Sequence, residues 1–397
     1  MGRGLSRCMF HRCIFHSLAG VLFLVFSVLA VQAIPTEPPD AVEGSVVDEE
    51  GSDAPLEGSF SDSVTVSETS AVVRIVTRRG EPLLGLGPED LRATVGRQPV
   101  EILGLDWIGP EMEELASEGP TPIGQPVGLA RPGPALEEIE PPLDEGRLVV
   151  IFVQIGHHMV VTFEPTIVRG HLRLLPSLRR MIDGFDDADW IAVASFDSNL
   201  ELWLDFTRDR EAVAEALFDA IGYTRAFPRQ NQGGPSLFPA FDLEAAREVT
   251  STDEALLLLA RALEPLPGVK DIVYSGWGVG RLTAGIGVHF SNDAESALAV
   301  LARAQTMVSV LDVTQADQHL LAGGLMALAN ATGGSYHATF DFPRSKVERL
   351  GRALVGYYQI TIDTSSLEAD GGPLRIQYPA DSDVRVLYRD RVLQPEG

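Results

Sequence analysis

The most constraining feature of this sequence is an alternation of strand and helix patterns that begins at Arg147 and continues to about residue 362. It opens with an unbroken apolar run, 148–153, which is typical of a strand buried on both faces. Short apolar strands that alternate with amphipathic helices favour parallel pairing. We therefore predict an α/β layer structure with a mainly parallel sheet over residues 147–362. The predicted strands are 148–153, 190–195, 200–206, 271–275, 307–311, 335–338 and 358–362.

Two shorter β-rich segments flank this region. Residues 62–108 alternate Val and Ile with turn signals at 79–82 and 96–99, a pattern that predicts a small β module. Residues 363–397 contain a turn at 370–372 and two further strand patterns. We expect 363–397 to form a C-terminal β extension.

Two other segments lack the apolar periodicity of a folded core. Residues 34–61 contain eight acidic residues and no Lys or Arg, so burial cannot offset their ordering entropy. Residues 109–146 are rich in Pro, Gly and Glu. We interpret 34–61 as an acidic disordered linker and 109–146 as a second linker or a long surface loop.

The first 33 residues have the organisation of a secretory signal peptide. Three Arg and no acid are followed by an apolar run of about 14 residues, shorter than the roughly 20 that span a bilayer. We expect 1–33 to be cleaved and the protein to be secreted or periplasmic, in the cell envelope. An uncleaved anchor over 14–33 is the alternative, and it would be the only membrane attachment. Both cysteines of the chain lie in this segment, which argues against disulfides and thiol chemistry in the mature chain.

The charge of the chain bears on its partners. Acidic residues outnumber basic residues 56 to 31, and the formal net charge is -25. A field of this sign repels phosphate backbones and anionic lipid. We expect no nucleic-acid partner and no small-molecule substrate, and we expect a protein partner that the sequence does not identify.

Two patterns near residue 276 fail as catalytic or cofactor motifs. Gly276, Gly278 and Gly280 follow a strand, but the dinucleotide fingerprint needs its third Gly at position 281, which is Arg. Ser275 lacks the flanking glycines of a nucleophile elbow. We therefore predict that the chain is not an enzyme.

Histidines near the predicted strand ends provide the other candidates. His157 and His158 follow the first strand, but adjacent residues of an extended segment point to opposite sides. We interpret them as a solvated loop, with a metal or protonation-sensitive site as the alternative. Asp312, which ends strand 307–311, is interpreted as the cap of the next helix. The isolated histidines, interpreted as surface or satisfied buried residues, are His171, His289, His319 and His337.

Four stretches, taken in order, carry a resemblance to a known family. They are 79–91, 148–153, 331–336 and 356–386, and together they span about residues 62–390. By these stretches the chain resembles the von Willebrand factor A-like domain proteins that are abundant in acidobacteria. The resemblance implies a doubly wound α/β domain, VWA- or Rossmann-like, with a small β-rich extension from the front module and the C-terminal strands.

In that family an Asp-x-Ser-x-Ser loop, together with a Thr and an Asp from later loops, holds Mg²⁺. The positions that match it here are Gln154, Gly156 and His158, and Gly276 stands where the later loop would carry its acid. Mg²⁺ requires hard oxygen ligands, so the resemblance implies a degenerate metal site, and we predict no metal and no cofactor. The candidates for the remaining threonine are Thr207, Thr224 and Thr250.

Trp277 lies beside this position, at the same predicted sheet edge as His157 and His158. Tryptophan is favoured at binding hot spots, so Trp277, His157 and His158 are candidate partner contacts. In the other interpretation Trp277 folds back and fills the vacated metal cavity.

The leading functional hypothesis is an exported, non-enzymatic protein-interaction or adhesion module that binds its partner without a metal. A structural or assembly component of the cell envelope is the alternative. A hydrolase with an unrecognised site is the remote alternative.

Overall fold

The computed structural model describes residues 68–110, 146–156, 164–222, 233–283, 287–316, 319–365, 367, 371–381, 383–389 and 392–393. The predicted signal peptide 1–33, the linker 34–61 and residues 111–145 of the second linker lie outside the described residues. Among the helices of the described ranges, none combines the length and the apolar character needed to cross a membrane.

The strands and helices are numbered in chain order. The strands are β1 (Glu68–Val76), β2 (Arg92–Val95), β3 (Gln98–Val100), β4 (Ile102–Ile108), β5 (Leu148–Gln154), β6 (Trp190–Phe196), β7 (Leu200–Thr207), β8 (Lys270–Gly276), β9 (Arg281–Thr283), β10 (Gly287–His289), β11 (Thr306–Asp312), β12 (Tyr336–Ala338), β13 (Tyr357–Asp363), β14 (Gly372–Gln377), β15 (Arg385–Tyr388) and β16 (Val392–Leu393). The helices are α1 (Glu164–Asp183), α2 (Arg210–Gly222), α3 (Leu243–Glu248), α4 (Thr252–Leu263), α5 (Asn292–Arg303), α6 (Ala322–Thr332) and α7 (Pro343–Ala353).

A six-stranded sheet in the order β12-β11-β8-β5-β6-β7 forms the centre of the fold. The first five strands of this order are parallel, and β7 at the edge is antiparallel to β6. The sheet lies between two hydrophobic cores, and successive residues of β5 enter them alternately. Leu148, Val150 and Phe152 face one core, and Val149, Ile151 and Val153 face the other. This confirms the predicted α/β fold and explains the unbroken apolar run.

Helices cover both faces of this sheet. The core that contains Val149 also contains the buried residues of α1, α2 and α7. The opposite core contains those of α3, α4, α5 and α6. The domain is therefore doubly wound. Helix α3 and the two-stranded ribbon of β9 and β10 had no counterpart in the sequence patterns.

Strands from both ends of the described chain interleave in the β extension. One antiparallel sheet has the order β15-β1-β13-β4 and the other has the order β16-β14-β2-β3. Their side chains share a separate core that includes Val73, Val95 and Ile376. This confirms a β-rich extension built from the front and C-terminal strands.

Strand β13 corrects one predicted boundary. The sequence places 358–362 in the α/β region 147–362, whereas the structure places β13 between β1 and β4 in the extension. The physical reason is that Tyr358, Ile360 and Ile362 pack into the core of the extension.

A buried ion pair joins the extension to the central sheet. Arg74 of β1 and Asp271 of β8 lie 2.7 Å apart (Nη2 to Oδ2), and their side chains are 2% and 3% exposed. Arg74 also donates to the carbonyl oxygen of Gly356 at 3.3 Å and lies 2.9 Å from the sulfur of Met307. Asp271 Oδ1 accepts no hydrogen bond from the described residues. The carboxylate therefore depends on Arg74.

Candidate functional site

The parallel strands end at one carboxyl edge, where open α/β sheets usually bind ligands. Gln154 ends β5 and Gly276 ends β8, the strand beside it. Asp312 ends β11 and is in register with Gly276. The fold therefore brings together the predicted positions Gln154, Gly276 and Trp277. His157 and His158 lie outside the described residues.

The side chain of Gln154 is fully buried and holds the loop after β8. Its Oε1 accepts hydrogen bonds from the backbone N–H groups of Trp277 at 2.8 Å and Gly278 at 3.0 Å. The Tyr274 hydroxyl lies 2.8 Å from the same oxygen and 2.9 Å from the Gly278 carbonyl oxygen. Two N–H donors use both lone pairs of an amide oxygen. Gln154 Oε1 therefore has no lone pair left for a cation.

Two glycines leave no space for the side chains of a metal loop. A Cβ on Gly156 would lie 2.1 Å from the carbonyl oxygen of Asp197. A Cβ on Gly276 would lie 2.6 Å from Gln154 Oε1 and 2.5 Å from the Tyr274 ring. A serine at 156 or an aspartate at 276 would therefore displace the existing loops.

Thr252 is the threonine of this site, and the sequence patterns did not single it out. It is the first residue of α4 and is buried, and its Oγ1 accepts a hydrogen bond from Gln154 Nε2 at 2.9 Å. None of the predicted candidates holds this position: Thr250 is exposed, Thr207 ends β7, and Thr224 lies outside the described residues. The spacing of Ser251 and Glu254 did mark the start of this helix, and Ser251 accepts from the Glu254 N–H as expected. That signal located the helix start, but it did not reveal the partner of Thr252.

The acid beside Thr252 is already used within the fold. Asp253 Oδ1 accepts from the Gly280 N–H at 2.9 Å, and its Oδ2 accepts from the Ser291 hydroxyl at 2.6 Å. Within the described residues, no group of three or more His, Cys, Asp or Glu side chains is placed to hold a metal ion. Mg²⁺ needs several free oxygen ligands. The described residues therefore do not match the Mg²⁺ ligand set of the family that the sequence resembles.

Trp277 is buried, which corrects its assignment as an exposed partner contact. The residue is 6% exposed, and its indole Nε1 donates to the carbonyl oxygen of Ile155 at 3.1 Å. Its ring packs in the same core as α1, α2 and α7. Of the two interpretations, the structure matches the one in which Trp277 folds back, because a large apolar ring gains more from burial than from exposure.

Ser275 and His171 form a buried pair behind this loop. Ser275 Oγ lies 3.0 Å from His171 Nδ1, and His171 Nε2 lies 2.9 Å from the carbonyl oxygen of Gln154. Because a carbonyl only accepts, Nε2 donates and Nδ1 accepts from the serine. The spacing is that of a nucleophile and a base, but both side chains are 0% exposed. No substrate reaches Ser275 in this structure.

The burial of His171 predicts a dependence of stability on pH. Burial lowers the pKa of His171 to about 4, so between pH 6.5 and 4 the unfolded chain binds a proton that the folded chain excludes. At 1.36 kcal/mol for each pKa unit, this histidine removes about 3 kcal/mol of stability as the pH falls from 7 to 4. In the wild type the free energy of unfolding falls between pH 7 and pH 4, and we expect this fall to be smaller by that amount in His171→Asn. Urea unfolding at both pH values measures it.

A second buried histidine, His337, also affects the pH dependence, so the loss of stability is compared between the wild type and the variants. Burial lowers the pKa of His337 to about 3, and the nearby charges of Arg349, Lys346 and Arg385 act in the same direction. His337 therefore also removes stability as the pH falls. His289→Asn is the control because this side chain is exposed. If His171→Asn loses as much stability between pH 7 and pH 4 as the wild type, the pH dependence does not come from His171.

Asp312 organises the loops that follow β11 and β12. Its Oδ2 accepts from the Tyr336 hydroxyl at 2.6 Å and lies 2.8 Å from His319 Nε2, and its Oδ1 accepts from the Thr314 N–H at 3.0 Å. Burial opposes ionisation, but the bonds from His319 and Tyr336 outweigh it and lower the pKa of Asp312. Helix α6 begins at Ala322 without a side-chain cap. Asp312 is therefore a loop anchor, which corrects its interpretation as a helix cap.

Three large apolar side chains are exposed near the same edge. Leu320 is 77% exposed, Phe342 is 76% exposed and Phe340 is 37% exposed. Leu320 belongs to the segment after β11, and both phenylalanines follow β12. Arg173 of α1 holds this loop by donating to the carbonyl oxygen of Phe340 at 3.2 Å. We call Leu320, Phe340 and Phe342 the edge patch.

No protein-family model matches the sequence, and no curated protein matches it. Among solved structures, an aerotolerance-related membrane protein from Bacteroides fragilis has 17% identity and a TM-score of 0.34, over 52% of this chain and 98% of that one. BatB from Bacteroides thetaiotaomicron has the same values.

A von Willebrand factor type A structure from Catenulispora acidiphila is also similar. It has 9% identity and a TM-score of 0.35, over 62% of this chain and 66% of that one. The fold class rests on the strand order of the chain itself.

Proposed function

We propose that this chain is an exported, non-enzymatic protein-interaction module that contacts its partner at the carboxyl edge of the central sheet without a metal ion. The observation that carries the proposal is the bonding of Gln154. An uncharged amide stands at the end of the first parallel strand, and backbone donors already use its oxygen.

The edge patch is the contact surface in this proposal. Exposed apolar side chains grouped near a site where α/β sheets bind ligands are typical of interaction surfaces. Phe342 also adopts a φ of 55°, in a region that residues other than glycine seldom occupy. Strained backbone of this kind clusters at functional sites. These features favour a partner with an apolar anchor.

The chemistry of the described residues favours binding over catalysis. The pair Ser275 and His171 is enclosed, and Asp312 is already bonded to three neighbouring residues. None of these groups has both the activation and the exposure that a catalytic residue needs. An interaction surface requires neither.

We expect a photo-crosslinking residue at position 342 to capture a protein partner in the cells that produce this chain. The adduct should be equally abundant with and without EDTA, because the proposal assigns no role to a divalent ion. The measurement is the mass and yield of the adduct after purification under denaturing conditions. Position 243 is the matched control, because Leu243 is 45% exposed and lies on α3.

Four results decide the proposal. Equal capture from positions 342 and 243 contradicts the edge patch, and loss of the adduct in EDTA contradicts metal independence. Stoichiometric heat on titration of the purified chain with Mg²⁺ also contradicts it. Capture from position 103 instead of 342 favours an envelope assembly role, because Leu103 is 42% exposed in the β extension.

A further inference from the structure

One helical face carries an apolar strip on its central helix. Leu172 of α1 is 45% exposed, and Leu175 and Pro176 follow at the spacing that places residues on one side of a helix. Phe218 of the neighbouring α2 is 54% exposed. Leu175, Pro176 and Phe218 line a groove of about 500 Å³ between the two helices. Water therefore contacts an apolar surface that runs from α1 to α2.

The two helices beside α1 carry opposite charges. Helix α2 presents Glu211, Glu215 and Asp219 at every fourth position, all of them lining the groove, and Glu211 is paired there with Arg179 of α1. Helix α7 carries four basic residues and one acid, although the chain as a whole has a net charge of -25. The basic residues of α7 are Arg344, Lys346, Arg349 and Arg352. The face is therefore acidic on one side of the apolar strip and basic on the other.

The order of the helices across this face follows from the sheet. Helix α7 contacts β11 and β12, α1 contacts β8, and α2 contacts β6 and β7. Since β8 lies between β11 and β6 in the sheet, α1 lies between α7 and α2. The acidic helix α2 and the basic helix α7 therefore lie on opposite sides of α1. A face with this arrangement is complementary to a second copy of itself.

We propose that two copies of this chain pair through the face formed by α7, α1 and α2, related by a two-fold axis that runs along α1. That rotation places the acids of α2 opposite the cations of the partner's α7, and it does so twice. The two apolar strips meet at the axis. A two-fold interface must be self-complementary in this way.

The size of the face is sufficient for such a pair. Helix α1 has 20 residues, α2 has 13 and α7 has 11. At 1.5 Å for each residue and about 10 Å between axes, their footprint is about 650 Å². Standard interfaces bury about 600–1,000 Å² on each partner. The footprint lies at the lower end of this range, and we expect self-association in the micromolar range.

The pairing does not rest on the proposed function, because the edge-patch residues lie outside α1, α2 and α7, and Phe342 alone directly precedes one of these helices. A chain that dimerises can still lack a partner at the edge, and the reverse also holds. The two proposals therefore fail in different experiments.

Sedimentation equilibrium of the full chain tests the pairing. We expect a monomer–dimer equilibrium, and we expect Phe218→Ser to weaken it at least tenfold. Leu243→Ser is the control, since it removes an apolar side chain of comparable exposure, 45% against 54%, from the opposite face. The charge pattern predicts that the dimer weakens as the salt concentration rises.

Two charge-reversal variants make the test specific to this geometry. The first is Glu215→Lys with Asp219→Lys, and the second is Arg344→Glu with Lys346→Glu. Each variant alone should associate at least tenfold more weakly than the wild type. An equimolar mixture should recover association, because opposite charges then face each other at both contacts.

Three results overturn the proposal. The first is a wild-type chain that stays monomeric up to about 100 µM, well above a micromolar Kd. The second is a dimer that Phe218→Ser leaves unchanged. The third is a mixture of the two reversed variants that remains monomeric. In that case the face would contact a different protein and not a second copy of this chain.

Discussion

Replacement of Arg74 by Met is expected to lower the free energy of unfolding by about 3–5 kcal/mol, the usual effect of removing one partner from a buried ion pair. Asp271 would remain buried, with a side chain that is 3% exposed. Its Oδ1 already accepts no hydrogen bond from the described residues, so no second donor is in place to replace the arginine. Urea unfolding at pH 7 measures the effect.

An exposed ion pair in the same extension provides the control. Arg78 and Asp383 lie 2.5 Å apart, but their side chains are 70% and 53% exposed. Arg78→Met should change the free energy of unfolding by less than about 1 kcal/mol, because water solvates exposed charges. The double variant Arg74→Met with Asp271→Leu should recover most of the loss, since an apolar pair needs no charge partner. A loss below about 1 kcal/mol in Arg74→Met would show that the pair does not hold the extension to the sheet.

Replacement of Gln154 by Leu is expected to lower the free energy of unfolding by about 4 kcal/mol. The change keeps the volume of the side chain but removes the acceptor of the Trp277 and Gly278 N–H groups. It also removes the donor to Thr252. Each buried polar group left without a partner costs about 1–3 kcal/mol.

Tyr274→Phe is the matched control for this variant. It removes one hydroxyl near Gln154 Oε1 and leaves both backbone donors bonded. Its expected effect is about 1 kcal/mol, in the range of a single hydrogen bond. Equal losses in the two variants would contradict the assignment of Gln154 as the main acceptor for this loop.

The sequence by itself determined the central α/β architecture. A strand buried on both faces is mostly apolar, and β5 shows this in the six consecutive apolar residues 148–153. The order of strands and helices along the chain then favours parallel pairing. The start of α4 could also be read locally, because Ser251 and Glu254 lie within one helical turn of each other.

The tertiary structure alone decided how the candidate site is filled and where β13 belongs. Gln154 meets Thr252 and Gly278 across sequence separations of 98 and 124 residues, and no local pattern records such contacts. Whether Trp277 faces a partner or the core was decided by its bond to the Ile155 carbonyl oxygen and by its packing in the core that contains α1, α2 and α7. Strand β13 has the same apolar alternation whichever sheet it joins, so only its partners β1 and β4 settle its place. Local sequence specifies a residue's own conformation, whereas burial and bonding depend on neighbours that folding brings together.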